Sequence, residues 1–486
     1  MKISGVPAAW PDFACDALIL PLAEDSLKRE EGPLAPLLER LRTSGEWKGE
    51  AGEVLVLYGC EAVAADRLIL LGLGKREDLD PDRTRTSVLK ALRRLKGCRL
   101  QRLAAVSANL PDEARFVMMA VDGAVMSLFD PGVYKSSDSR VAEIGELVFL
   151  LSDRADLRRF PALYEKAQVY GEAVNLARRL THEPGNRMTP EVFAEEARQA
   201  AESVGLEVTV LDERAIREAG LAAVLAVASG SEHPPRFVVI EHRGRKGREK
   251  PICLVGKGVT FDAGGISLKP AQSMEEMKSD KAGACAVLGA MLAVARLGLP
   301  RPAVGVIPVV ENLPGGRAQR PGDVIRCHGG KTVEVINTDA EGRLILADAM
   351  SWAKERYSPS EIVDIATLTG ACIIALGHVR AGYFSNDEKL VRRFVDAAGR
   401  SYEKFWRLPL DPEYREDLKS DIADLRNVGQ KWGGAITAAK FLEEFVGDTP
   451  WVHIDMAGVD LFQGDQKAEG PRGFGVRTLA ELVAGD

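Results

Sequence analysis

Short apolar runs alternate with helical stretches along almost the whole chain, and this alternation restricts the possible folds more than any other feature. Ala17–Leu22, Val54–Tyr58, Leu68–Leu73, Leu103–Val106 and Leu147–Leu151 read as buried strands, with helices such as Asp82–Leu95 and Asp112–Leu128 between them. Glu207–Leu211, Phe237–Glu241, Ile252–Val255, Ala303–Val310, Val333–Ile336, Ile362–Thr367 and Trp451–Ile454 repeat the pattern further on. Strands separated by helices predict an α/β protein with mostly parallel pairing. The polar stretch Ser152–Pro161 suits a boundary. Behind it, apolar residues at helical spacing from Ala162 to Thr181 predict a long connecting helix, stopped by Pro184-Gly185-Asn186. Thr189-Pro190 then starts the next helix with a cap and a proline. The expected division is a domain over 1–155, a linker helix over 156–186 and a larger domain over 187–486.

Composition excludes several classes. The longest near-apolar runs, Gly283–Ala295 and Ile365–Gly377, have 13 residues each and cannot span a bilayer. Lys2 is followed by Asp12 before an apolar segment can form, so no signal peptide is expected. Seven scattered cysteines fit reduced thiols in a cytoplasm better than a disulfide framework. A net charge of −7 argues against a general nucleic-acid or anionic-membrane binder. The basic cluster Lys90, Arg93, Arg94, Lys96, Arg99 and Arg102 reads as a solvated helix face, and the run Arg243–Lys250 as an exposed turn.

Two stretches carry chemistry. In Asn337-Thr338-Asp339-Ala340-Glu341-Gly342-Arg343-Leu344, two carboxylates and a guanidinium sit where a strand hands over to a helix. Were residues 337–343 extended, Asp339, Glu341 and Arg343 would point the same way. Converging carboxylates repel unless a proton or cation lies between them, which suggests a hard divalent metal. The plain alternative is acids complementing a helix dipole. The second stretch, Gly256-Lys257-Gly258-Val259-Thr260-Phe261-Asp262-Ala263-Gly264-Gly265, follows a buried strand and leads to Lys269 and Asp280. Its glycines suggest backbone close to a bound species. Gly258 stands where a phosphate loop needs Ser or Thr. His-Glu-x-x-His and paired Cys-x-x-Cys patterns are absent. A metal site here must use carboxylates and carbonyls, with or without a lysine.

Val255–Asp262, Lys269, Asp280 and Asn337–Leu344, in this order and spacing, closely resemble the leucyl (cytosol) aminopeptidase family. Ala366–Ala371, Gly433–Ala439 and His453–Gly458 extend the likeness over about residues 170 to 480. The resemblance implies an N-terminal domain similar to the macro domain, shaping assembly and access, and a larger catalytic domain with a mixed central sheet. It also implies two divalent ions held by Lys257, Asp262, Asp280, Asp339 and Glu341, with Asp262 and Glu341 bridging. Manganese or zinc is expected, with magnesium or cobalt as alternatives, since oxygen ligands admit several metals. Physical sense supports the set, because four carboxylates largely neutralise two dications. Lysine ligates only as the neutral amine, which adjacent dications favour.

By the same resemblance, Lys269 stabilises the oxyanion of the tetrahedral intermediate. The water that attacks bridges the two metals, and bicarbonate held by Arg343 is its general base. Arg343 itself stays protonated. Met277, Asn337, Thr367, Leu368, Gly370 and Ala457 match positions lining the pocket for the first side chain of a peptide, which should favour leucine- or methionine-like residues. Asp460 departs from the apolar residue expected there. It favours an N-terminal arginine or lysine if it faces that pocket, and does nothing if it faces solvent. His328, His378 and His453 are expected to be structural. A cytoplasmic homohexamer acting on peptides is implied, with no membrane or nucleic-acid partner. Two rivals remain: an interaction or DNA-associated protein on this scaffold, and a metal-dependent amidase or dipeptide-conjugate hydrolase.

Overall fold

The computed structural model describes residues 1–25, 32–78, 80–108, 110, 112–136, 141–152, 160–245 and 249–485. The chain divides into two compact units, Met1–Asn175 and Leu176–Asp486. Both are α/β, and the division falls inside the long helix Phe160–His182. Most of the expected boundary (153–159) and the tip of the basic run (246–248) lie outside the described residues.

In the first unit, six strands order as Lys2–Pro7, Glu143–Leu151, Arg99–Val106, Ala17–Ala23, Arg67–Gly74 and Val54–Tyr58. All neighbours are parallel except the last pair. Ala17, Ile19, Ile69 and Leu71 bury on one face with the helices Pro81–Arg93 and Glu113–Met126. Leu18, Leu20, Leu68 and Leu70 bury on the other against Leu38 and Trp47. Side chains alternate across a strand, so strands covered on both faces become continuous apolar runs. Lys2–Pro7 escaped the sequence reading because Lys-Ile-Ser-Gly-Val-Pro is an edge strand with little apolar content. In the basic cluster Arg94, Lys96, Arg99 and Arg102 are exposed, while Arg93 donates to the carbonyls of Ser127 and Phe129.

The second unit holds a mixed nine-stranded sheet. Its centre is parallel: Trp451–Asp455, Glu361–Ala366, Ile252–Gly256 and Ala303–Asn312, with Gly258–Asp262 also parallel to the last. Arg236–His242 and Ala381–Ser385 flank it antiparallel. The helices Ala282–Arg296 and Glu341–Tyr357 cover this centre. Gly283 matters here, because a Cβ would come within 2.2 Å of the Ile365 carbonyl oxygen. The strand expected over Val333–Ile336 is shorter, Thr332–Glu334, and lies in a separate three-stranded sheet. It does not feed the central sheet, so Asp339 and Glu341 reach the site through a turn. No helix among the described residues is long and apolar enough to cross a membrane.

Asp348 locks the Glu341–Tyr357 helix in place. It is fully buried, and Oδ2 accepts from the backbone N–H groups of Ala223 (2.7 Å) and Val224 (3.2 Å) while Oδ1 accepts from His328 N–H (2.7 Å). It thereby caps the Ala222–Ala228 helix, whose own N-cap Leu221 offers no side-chain acceptor. Asp348→Ala orphans two buried donors and one part-buried donor and should cost about 2–4 kcal/mol in urea unfolding. Unchanged stability would show that those donors find other acceptors.

Candidate active site

The residues singled out from sequence gather at the carboxyl ends of the parallel strands, the usual crevice of open α/β sheets. Lys257 follows Ile252–Gly256, Asp262 ends Gly258–Asp262, and Thr367 follows Glu361–Ala366. Asp280 comes from the turn after Met274–Ser279, and Glu341 is the first residue of its helix. Ligand oxygens of Asp262, Asp280 and Glu341 lie within 4.8 Å of one another, and all three residues are buried.

Two lysines bridge the carboxylates in pairs. Lys257 Nζ is 2.8 Å from both Asp280 Oδ1 and Glu341 Oε1. Lys269 Nζ is 2.8 Å from Asp262 Oδ2 and 2.5 Å from Asp339 Oδ1. Burial disfavours charge on both amines, but the carboxylates outweigh it and hold each well above the ordinary lysine value. Burial and mutual repulsion push Asp280, Asp339 and Glu341 up. Asp280 Oδ2 and Glu341 Oε2 are buried without a partner among the described residues. Such oxygens are costly unless a cation or proton takes them, so the donor set fits hard divalent ions.

The geometry changes the sequence reading of these stretches. Residues 337–343 are not extended. A turn at Thr338–Asp339 leads into the helix at Glu341, so Glu341 also meets the favourable end of the helix dipole. Gly342 makes room for Lys257, since a Cβ would lie 2.8 Å from Lys257 Cε. Added Cβ atoms on Gly264 and Gly265 would likewise meet Asp339 and Asn312 within 3 Å. Protein packing by itself requires these glycines.

Arg343 forms no ion pair with the cluster among the described residues, although the Glu341 carboxylate acts on its charge. It is 7% exposed, and Nη1 donates to the Asn427 carbonyl (2.8 Å) while Nε lacks a partner among the described residues. Burial lowers its pKa to about 10. An orphaned, buried guanidinium N–H fits a small anion.

Thr367 Oγ donates to Asp280 Oδ1 (2.7 Å), and its carbonyl accepts from Lys257 (2.9 Å). Leu368 and Ala457 meet through Asp455, whose Oδ1 accepts from both backbone N–H groups, at 3.2 and 3.3 Å. Exposed Gly370 opens the next helix, capped by Thr369. Met277 and Asn337 are half-buried, the first in the turn before Asp280 and the second bonded to Asp339 N–H (2.9 Å). Asp460 does not face solvent: it is buried, pushed to about 7 by that burial, and accepts from Ser279 Oγ (2.9 Å).

His328, His378 and His453 stay outside the cluster, bound to Glu355, the Gly458 carbonyl and Asp364. Sequence reasoning missed Asn312, which donates to Asp262 Oδ1 (2.8 Å), and Asn427, which holds both Asn337 and Arg343. It quoted Asp455 without giving it a role. An asparagine closing the wholly buried strand Ala303–Asn312 was the available signal.

A mixed α/β sheet whose strand ends gather buried carboxylates and lysines defines a metal-dependent hydrolase. Residues 175–480 match the catalytic-domain model of the cytosol aminopeptidase family, and residues 20–138 its N-terminal-domain model. Probable cytosol aminopeptidases of Solibacter usitatus and Geobacter sulfurreducens are 43% and 41% identical, over 96% and 99% of both chains. The solved structure of the bottromycin maturation enzyme BotP in complex with Mn has a TM-score of 0.84 and 32% identity, over 97% of this chain and 99% of that one. The chain belongs to the cytosol aminopeptidase family, whose members are metallo-exopeptidases.

Lys257 is the key to the metal-free cluster. Lys257→Met leaves Asp280 and Glu341 buried without their counter-charge, so in chelator-treated protein stability should fall by about 3–5 kcal/mol. Calorimetry in chelator tests this. An unchanged melting temperature would mean that protons, not the amine, balance these acids.

Proposed function

We propose that this aminopeptidase removes leucine-like and other apolar residues from the N-termini of peptides, using two divalent ions held by Lys257, Asp262, Asp280, Asp339 and Glu341. Manganese or zinc is the first choice, with magnesium or cobalt as alternatives. The observation carrying this reading is the buried trio Asp262, Asp280 and Glu341, in which two carboxylate oxygens have no partner among the described residues. Ions there would supply a water of lowered pKa, polarise the scissile carbonyl and anchor the free α-amine. The last restricts hydrolysis to peptide ends.

Lys269 is the more exposed of the two lysines, which supports reading its ammonium as the donor to the oxyanion. Asn312 and Thr367 keep the carboxylates of Asp262 and Asp280 oriented. Arg343 holds bicarbonate, which would supply the general base. Met277, Asn337, Thr367, Leu368, Gly370 and Ala457 line the pocket for the first side chain. We further take residues 1–155 and 187–486 as the N-terminal and catalytic domains, joined by 156–186. The protein is read as a cytoplasmic homohexamer without membrane or nucleic-acid partners.

Leucyl anilide should be cleaved and its N-acetyl analogue spared. Chelation should abolish turnover and added metal restore it, while Asp262→Ala or Glu341→Ala should reduce it by orders of magnitude. Full activity in a metal-stripped preparation, checked by elemental analysis, would refute the reading. Arg343→Ala should slow turnover about 10²–10⁴-fold with metal content unchanged. In carbon-dioxide-depleted buffer, bicarbonate should accelerate the wild type far more than this variant. Equal responses would make Arg343 structural. An active monomer by light scattering at micromolar concentration would remove the hexamer.

A further inference from the structure

Lys281 is fully buried, although it neighbours a carboxylate cluster that it does not join. Its Nζ donates to the Glu183 carbonyl (3.0 Å) and to the Lys278 carbonyl. Among the described residues no carboxylate lies within ion-pair distance of it. It also occupies the N-cap of the Ala282–Arg296 helix without capping it, where a positive charge opposes the helix dipole. A buried amine that no carboxylate pairs at contact distance among the described residues, at the unfavourable end of a helix, is destabilising. A lysine kept under two such penalties needs a positional reason.

The carbonyls it holds supply that reason. Lys278 belongs to the Met274–Ser279 turn, and Glu183 directly follows the long helix Phe160–His182. Lys281 therefore fastens the turn from one side. From the other, Ser279 Oγ donates to buried Asp460, whose carbonyl in turn accepts from Arg472 N–H (2.8 Å). Lys278 and Ser279 immediately precede Asp280, and the Asp280 N–H bonds back to the Met277 carbonyl (3.3 Å). The turn is thus pinned at two adjacent residues, and the aspartate that follows inherits its place.

We infer that Lys281 is a positioning residue: an internal amine, held by two carbonyls, that sets the Met274–Asp280 turn and so aims the Asp280 carboxylate, with Asp460 completing the clamp through Ser279. The inference rests on reading Asp280 as a metal ligand. It also gives Asp460 a task other than choosing the substrate.

The test is Mn²⁺ titration of metal-free protein by calorimetry, with melting temperatures measured alongside. Lys281→Met should weaken Mn²⁺ binding about 10–100-fold, as loss of a group that orients a ligand typically does. Lys281→Ala should weaken it similarly and recover in part with n-propylammonium, which replaces the missing stem and amine. Lys281→Met, its space filled, should not recover. Ser279→Ala should give a smaller loss of about three- to tenfold, and it decides the matter if the lysine variants do not fold. Wild-type Mn²⁺ affinity in a folded Lys281→Met or in Ser279→Ala would overturn the inference, as would a Lys281→Ala defect that propylammonium leaves unchanged. Absence of Mn²⁺ binding by the wild type would instead overturn the metal assignment on which it rests.

Discussion

Four carboxylates converge in a largely water-excluded crevice, and like charges there cannot all remain ionised without a counter-charge. Lys257 and Lys269 provide it, each bridging two of the acids at hydrogen-bond distance. Among the described residues the Asp280 and Glu341 carboxylates each keep a buried oxygen without a partner, so the arrangement is compensated but incomplete. A protein interior tolerates such an imbalance only where the surroundings over-determine it. Much of the second unit does so.

The parallel strands bring their carboxyl ends to one side, which places Lys257, Asp262, Asn312, Thr367 and Asp455 together from points far apart in the chain. Small residues then let covering elements close in. Gly283 allows the Ala282–Arg296 helix against Glu361–Ala366, and Gly342 allows Lys257 to lie across the start of the Glu341–Tyr357 helix. Buried acids away from the centre fasten the same parts. Asp348 fixes the helix that begins with Glu341, and Asp455 gathers the N–H groups of Leu368, Thr369 and Ala457. Stability and site construction therefore share the same hydrogen bonds. Disturbing the support should be felt at the ligands, the general pattern for metal centres.

Membership of the cytosol aminopeptidase family gives this architecture its chemical meaning. The crevice is rich in acids and amines, while its histidines sit elsewhere as structural residues. His453, for instance, is buried in the sheet between Trp451 and Phe384, with Asp364 on Nδ1. The donors gathered there are carboxylates and amines rather than imidazoles. Hard divalent cations suit such donors.

The α/β class, most central strands and the long connecting helix were legible in the sequence, because strands covered on both faces become unbroken apolar runs and helices keep their own period. Lys257, Asp262, Lys269, Asp280, Asp339 and Glu341 were also legible, through the family resemblance that two short segments and one turn carry. What only the tertiary structure decided is who faces whom. It turned Val333–Ile336 from a central strand into part of a small separate sheet, and it replaced an extended Asp339–Arg343 by a turn and a helix. It made Gly342 a clearance for Lys257, and it drew Asn312, Asn427 and Asp455 into the site. Asp460, read from sequence as a residue of the substrate pocket or of the surface, became the buried acceptor of Ser279. These outcomes depend on contacts between residues tens to nearly two hundred positions apart. Local pattern carries no record of them, because the free energy that selects such partners arises only when strands align and water leaves the space between them.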